Sequence, residues 1–503
     1  MAQASSLIWL IAGAALLGMT LRTPIPLFAW LALTFLLQAT RSLPAPAGLL
    51  WTWLALYAAL LFGRRDIPVS GPAHYLIVAF VATALTLPFV LDRVVGFRIG
   101  GAAATLVFPL AWVTVEFLQS RFAPAATWGS IAYTQYGLLP LMQVAAFVGI
   151  WGITFLIAWF ASTVDLAWSH GFDWSVVRTP VVTYAAVLGV VVLGGSVRLA
   201  LAPTDRASIR VATVNRPVDL FIPGEMTRIA EDSAAPEERE RLAGKLARLH
   251  DWFLDQSRRE ARAGARLVAW PEQNLLIYAE DEPAFLARAQ RLATEEGFYL
   301  AMGMGTVHRG EPHSFENKLI VFDPSGRMIV SYLKSHAVPG WEASIMRRGD
   351  GHLPVVATQD GRIAGAICFD DAFPEFVRQA GRGAADILIV PANEWKAIKT
   401  VHAQMAAFRA VENGVALVRP AASGLSTAVD AWGRLLGVAD YFAPGDRTMV
   451  AQVPVRGVRT LYAKTGDLFA WLCVAGLVVG VGIVALRAAS AVNIGGLSLI
   501  FAR

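Results

Sequence analysis

The stretch that decides the fold is RIAGAICFDDAFPEFVRQAGRGAADILIVPA, residues 362–392. RIAGAICF (362–369) is a continuous apolar run of strand length. PEFVRQA (374–380) carries helical periodicity, and DILIVPA (386–392) is a second apolar strand. Strands that read as unbroken apolar runs are buried on both faces, and alternation with helices implies a layered α/β domain.

The same grammar extends on both sides. IRVATVN (209–215), RLVAW (266–270) and YLAMGMGTV (299–307) read as strands, with helices over 236–263 and 283–296. NKLIVFD (317–323) and RMIVSYL (327–333) flank Pro324-Ser325-Gly326 as a hairpin. VHAQMAAFRAVEN (401–413) reads as a helix ended by Gly414, followed by a strand at 415–421 and a hairpin at 426–438. No internal repeat or low-complexity segment interrupts the domain.

Outside residues 205–464 the chain is of another kind. Over its 503 residues it is 55% hydrophobic and only 16% charged. Globular proteins carry about 25% charged residues, and the deficit is local: residues 1–200 hold nine Arg, no Lys and five acids. Apolar runs near 5–21, 24–39, 48–63, 74–92, 101–119, 140–168 and 180–200, and an eighth at 467–486, approach the ~20 residues that cross the hydrocarbon of a bilayer. The expected organisation is a membrane domain over 1–204, a soluble domain over 205–464, a C-terminal membrane helix over 465–487 and a short tail over 488–503. With the N-terminus in the cytoplasm, Arg41, Arg93, Arg98, Arg178, Arg487 and Arg503 fall inside, and Arg22, Arg64, Arg65, Arg121 and Arg198 outside. That count favours a soluble domain outside the cytoplasm by one residue. Glu116, toward the end of the fifth span, reads either as a functional acid or as an interfacial residue paired with Arg121.

Several classes of function have nothing to rest on. The net charge is only +5 and there is no Lys/Arg block, so no nucleic-acid partner is expected. Cys368 and Cys473 lie too far apart for a disulfide framework, and no His/Cys pair has zinc-ligand spacing, so neither metal nor cofactor is expected. His308 and His313 read as solvated.

Three strand ends carry reactive groups: Glu272 in Trp270-Pro271-Glu272, Lys334 after Tyr332-Leu333, and Cys368 at a strand-to-helix turn. Strand ends are where α/β folds assemble sites. A thiol is largely protonated near neutral pH. A carboxylate within reach can take its proton, and an ammonium can stabilise the thiolate and then an oxyanion.

Glu272 in WPE, Lys334 in YLKSHAVPGWE and Cys368 in ICFDDAFPE together resemble the Glu-Lys-Cys triad of the nitrilase superfamily. FENKLIVFDPSGRMIVSYLKSHAVP (315–339) resembles the hairpin that brings the Lys. HAQMAAFRAVENGVALVRPAASGLSTAVDAWGRLL (402–436) resembles the elements after the Cys. Seven spans before such a domain and one after resemble the layout of the apolipoprotein N-acyltransferase family, as do FPLAWVTVEFLQS (108–120) and LLPLMQVAAFVGIWGITFLIAW (138–159). The resemblance implies an eight-span helical membrane domain joined to an αββα sandwich. It implies a ping-pong acyl transfer from a phospholipid, through a Cys368 thioester, to the α-amine of a diacylglyceryl lipoprotein. It also implies a monomer in the bacterial inner membrane, with the catalytic domain periplasmic. Glu272 is then the general base, Lys334 and the Phe369 N–H the oxyanion donors, and Cys368 the nucleophile. Glu342 and Asp370 are supporting acids. Trp341, Phe221 and Ile222, in VDLFIPGEM (218–226) and the loop before Glu342, would form an apolar gate toward the membrane.

The sequence departs from the family's pattern at Val338–Glu342, Cys368–Asp370 and Asn393–Ile398, the segments that by the resemblance surround the acyl and acceptor pocket. A membrane-tethered hydrolase, an N-acyltransferase with another amine acceptor, and a non-catalytic scaffold that kept the fold stand beside the transferase reading.

Overall fold

The computed structural model describes residues 2–23, 25–65, 72–203, 207–217 and 220–500. The chain forms two compact units, Met1–Ala200 with Thr465–Arg503, and Leu201–Lys464. The expected boundary at 204–205 falls outside the described residues, as do Val218 and Asp219 of the 218–226 segment.

The first unit is helical. Its long helices are Ala2–Thr20, Pro26–Ser42, Ala45–Arg64, Pro72–Leu91, Val107–Phe122, Ile150–Ser169, Trp174–Ala200 and Leu468–Ile500. Among the described residues, six helical stretches are long and apolar enough to cross a membrane; the two N-terminal helices are shorter. Three expectations change here. The run at 140–168 is not one helix: short turns at Leu139–Met142 and Ala145–Val148 stop at Gly149, whose φ of 69° lies in the left-handed region, before Ile150 starts the long helix. The helix expected at 180 begins at Trp174, where the Asp173 carboxylate accepts the Ser175 N–H at 3.0 Å. The last helix continues to Ile500, because residues 488–500 contain neither Pro nor charge to end it.

Some charges inside this unit are partnered. Arg41 forks onto Asp92 through Nε (2.8 Å) and Nη2 (2.6 Å) and also bonds Asp165, which ties three helices together. Glu116 is buried and held by several donors. Its oxygens accept from Trp112 Nε1 (3.0 Å), Ser130 Oγ (2.6 Å), the Ile131 N–H (3.1 Å) and Thr154 Oγ1 (3.1 Å), while Arg121 lies over the Phe117 ring. Four donors around a buried carboxylate make it a structural knot between two helices and the turn that joins them.

The second unit is a sandwich of two sheets with helices outside. One sheet runs Met449–Pro454, Ser208–Thr213, Leu267–Ala269, Tyr299–Val307, Phe315–Phe322, Met328–Leu333. The other runs Leu435–Asp440, Leu425–Val429, Ala416–Arg419, Ile387–Ile389, Gly361–Gly365, Val355–Thr358. The inner strands of each are parallel and the hairpins antiparallel. The sheets meet closely enough that a Cβ on Gly365 would lie 2.5 Å from Leu319 Cδ2 of the facing sheet. Helix Pro236–Arg262 lays Leu249, Phe253 and Leu254 on Val268, Trp270 and Leu300, and Glu282–Glu296 adds Phe285, Ala289 and Leu292. Each large side chain so buried contributes about 1.5–3 kcal/mol. Pro374–Arg382 and Lys399–Asn413 cover the second sheet. The strands Leu275–Tyr278, Val355–Thr358 and Met449–Pro454 have no counterpart in the sequence reading.

Candidate active site

Three strand ends converge. After Leu267–Ala269, Trp270 is fully buried, its Nε1 donating to Ser257 Oγ at 2.9 Å, and this anchors the Pro271-Glu272 turn. Beside it, a Cβ on Gly303 would lie 2.5 Å from the Pro271 carbonyl oxygen and 2.8 Å from Pro391 Cβ, so only glycine lets these turns meet. Lys334 follows Met328–Leu333, its N–H donating to the Asn317 carbonyl at 2.9 Å. Cys368 opens a short helical turn, Cys368–Ala372, with its N–H on the Pro391 carbonyl (2.8 Å). Its φ of 44° is a conformation that L-residues rarely adopt. Strain of this kind, held by surrounding structure, marks functional positions.

Lys334 Nζ donates to Glu272 Oε1 at 2.7 Å and to both oxygens of Glu342 at 2.9 Å. Asn317 Nδ2 donates to Glu272 (2.7 Å) and to Glu342 (3.0 Å). Glu342 also accepts from Gln273 Nε2 (3.1 Å) and the Val338 N–H (2.7 Å), which closes its own loop over the ammonium. The Asn393 peptide links acid and thiol: its N–H donates to Glu272 Oε2 at 2.7 Å, and its carbonyl accepts the Cys368 S–H at 3.8 Å. Glu272, Lys334, Glu342 and Cys368 are all buried, the thiol only 4% exposed.

Two carboxyl groups face one ammonium. Burial, with the charge of Glu342 added, raises the Glu272 carboxyl above its ordinary value despite Lys334. Burial alone would lower Lys334; Glu272 and Glu342 outweigh it and hold the ammonium well above the ordinary Lys value. Burial and the Glu272 charge push the Cys368 thiol well up, against the pull of Lys334 and Arg419. These surroundings favour the neutral thiol over the thiolate.

The sequence comparisons follow the same two-part plan. The carbon-nitrogen hydrolase family matches residues 240–463, and the apolipoprotein N-acyltransferase N-terminal domain matches residues 12–163. The apolipoprotein N-acyltransferase of Geobacter metallireducens is 30% identical over 88% of this chain and 86% of its own length. This chain belongs to the apolipoprotein N-acyltransferase family. Family members from Rickettsia typhi (24% identical, 71% of this chain and 70% of that one) and Bradyrhizobium diazoefficiens (25%, 79% and 76%) are also similar. Among solved structures, an amidase from Nesterenkonia sp. is 22% identical with a TM-score of 0.41, covering 53% of this chain and 96% of that one.

Around this cluster the remaining expected residues take different places. Asp370 is fully buried. It accepts from Tyr332 Oη (2.7 Å), the His336 N–H (2.9 Å) and the Ile367 N–H (3.0 Å), with His336 Nδ1 at 2.8 Å. It thereby clamps the chain on either side of Lys334 to the Cys368 turn. The Phe369 N–H has no partner among the described residues, and its ring packs edge-on against Phe373. Trp341 and Ile222 are exposed, at 42% and 58%. Phe221 is half-buried: it packs against two hydrophobic clusters, with Lys245 over its ring. The Trp341 indole is tethered to Glu231.

Three features escaped the sequence reading. Asn317 and Asn393 had no assigned role, because an amide in a strand carries no signal of what it faces. Glu394, within the departing 393–398 segment, is buried against Arg419 (2.7 Å) and His402 (2.9 Å). Both of these also reach Asp371, at 3.3 and 2.9 Å. Glu394 thus belongs to a buried ion-pair cluster.

Proposed function

We propose that this chain moves a fatty acyl group from a phospholipid, through a thioester on Cys368, to the α-amine of the N-terminal diacylglyceryl-cysteine of an apolipoprotein. The observation that carries the proposal is the single Lys334 ammonium held by Glu272 and Glu342 beside a buried thiol on a strained turn, in a chain of this family. In the first half-reaction Glu272 takes the thiol proton as sulfur bonds to the ester carbonyl carbon. Lys334 and the Phe369 N–H receive the negative charge on the carbonyl oxygen. The carbon–oxygen bond then breaks, and the lysophospholipid alkoxide leaves with the proton from Glu272. In the second, the acceptor amine attacks the thioester carbon and gives a proton to Glu272. The carbon–sulfur bond breaks, and the thiolate regains its proton as the amide departs. A carboxyl raised by burial suits both directions of this transfer.

Burial of the site also favours transfer over hydrolysis, since a closed pocket withholds water from the thioester. All of these groups come from one chain, so the proposed enzyme acts as a monomer, and no step calls for a metal or cofactor. We place the catalytic unit on the periplasmic face of the inner membrane; protease added to spheroplasts should then cut it, and protection would refute that placement. The chemistry is tested with purified protein, phospholipid and a diacylglyceryl lipopeptide. Cys368→Ser should lower N-acylation by about a thousand-fold or more, and Cys473→Ala should leave it unchanged. Near-native turnover by Cys368→Ser would overturn the assignment.

A further inference from the structure

Beside the Cys368 turn lies a buried charged cluster that no step of the transfer uses. His402, on the helix Lys399–Asn413, stands between two carboxylates: Nε2 is 2.9 Å from Asp371 Oδ1, and Nδ1 is 2.9 Å from Glu394 Oε1. Arg419, which ends the strand Ala416–Arg419, reaches the same two acids, Nε at 3.3 Å from Asp371 and Nη2 at 2.7 Å from Glu394. All four side chains are buried. A Cβ on Gly424 would lie 2.3 Å from Glu394 Oε2, so a side chain there would crowd this acid.

The ordinary reading of such a cluster is a structural ion network. Buried ion pairs add little net stability over apolar packing, because desolvation offsets attraction. Their place in the chain gives a fuller account. Asp371 belongs to the short turn that Cys368 opens. Glu394 follows Asn393, whose N–H donates to Glu272 at 2.7 Å and whose carbonyl accepts the Cys368 S–H at 3.8 Å. The two acids therefore stand on the two segments that set the thiol against the base, and one imidazole and one guanidinium tie them together. A neutral imidazole has a single N–H, so one of the carboxylates would face a ring lone pair; a carboxylate at 2.9 Å from each nitrogen calls for an imidazolium. With that charge the four groups sum to zero. Without it, a net negative charge stands beside the thiol.

We propose that His402 is a positioning residue, held as an imidazolium, that fixes the Cys368 turn against the Asn393 backbone and balances the charge beside the thiol. The inference rests on Cys368 as the nucleophile of the proposed transfer. Its test uses alkylation of the thiol, which needs neither phospholipid nor lipoprotein, so its failure is distinct from failure of the transferase reading.

In the full chain with Cys473→Ala, Cys368 is the one remaining thiol. Its alkylation by iodoacetamide in detergent at about pH 7.5, followed by mass spectrometry, should be about ten-fold slower in His402→Gln, the loss expected for one hydrogen bond between charged groups. Adding Asp371→Asn removes one negative charge and should bring the rate back to within about three-fold of native, whereas independent structural losses would add. A native rate in His402→Gln, or a double variant as slow as the single one or slower, would overturn the proposal. The protonation state is read without relying on that variant's fold, in the native chain labelled with 15N-histidine. At about pH 7.5, where a solvated imidazole of pKa about 6.5 is largely neutral, His402 should give an imidazolium signal, assigned by its loss in His402→Asn. A neutral tautomer at His402 would equally overturn the proposal.

Discussion

Replacing Glu342 with Gln removes one of the two charges that face Lys334 while keeping nearly the same volume. Glu272 and Glu342 both bond the same Nζ, at 2.7 and 2.9 Å, and share Asn317 Nδ2, so their carboxylates are close neighbours. Like charges about 5 Å apart at an effective dielectric of about 20 repel by about 3 kcal/mol. The Glu272 carboxyl is raised by burial with Glu342 as a second cause, so removing that charge lowers it. Glu272 must be ionised to accept the thiol proton, and the acid limb of kcat/KM reports that ionisation in the free enzyme. Glu342→Gln should therefore move the acid limb toward lower pH. The maximal rate should also fall, because the new amide N–H groups face the ammonium and the Val338 N–H loses a charged acceptor. The assay is single-turnover acylation by a short fluorogenic ester across the acid range. Limb position does not depend on the fraction of folded enzyme, so a destabilised variant still reports. An unmoved limb, or one displaced to higher pH, would show that Glu342 does not set the charge state of Glu272.

Asn317→Ala deletes donors to both acids and should slow acylation about 10- to 100-fold, since hydrogen bonds to charged groups contribute about 1.5–3 kcal/mol. Stopped-flow acylation at native rate would remove Asn317 from the positioning role. His402 is fully buried; burial alone would lower it, but Asp371 and Glu394 outweigh that and Arg419, so its pKa is raised on folding. Its stabilisation is complete below the unfolded value of about 6.5 and fades as pH rises through the folded value. Thermal melts of the full chain should therefore weaken above that range, and His402→Gln should flatten the decline; a parallel slope in the variant would place the titrating group elsewhere. Trp341→Ala should slow acylation by long-chain phospholipid and spare a short soluble ester. Phe221→Ala should instead lower the melting temperature through about 1–2 kcal/mol of lost packing, with any rate loss shared by both substrates. The reverse pattern would exchange the two roles.

Much of this molecule is local and so was readable in one dimension. The charge-poor first 200 residues, the apolar runs of bilayer length and the period of each strand and helix depend on near neighbours in sequence. The places of Glu272, Lys334 and Cys368 at strand ends were legible for the same reason, each marked by the short motif around it. Element ends were less so: a glycine at 149 and a carboxylate at 173 moved helix starts that hydropathy alone could not place. What only the tertiary structure decided is how distant groups share charge. Glu342 is a ligand of Lys334 because its loop folds back onto the ammonium, while Asp370, two residues from Cys368, is occupied by Tyr332, His336 and Ile367. Glu394 is neutral in effect because Arg419 and His402, from another strand and helix, meet it in the interior. A side chain's type sets what it can donate or accept, but its charge state and partners follow from desolvation and from neighbours brought together by the two sheets, and the Glu272–Asn393 contact among them spans 121 residues of chain.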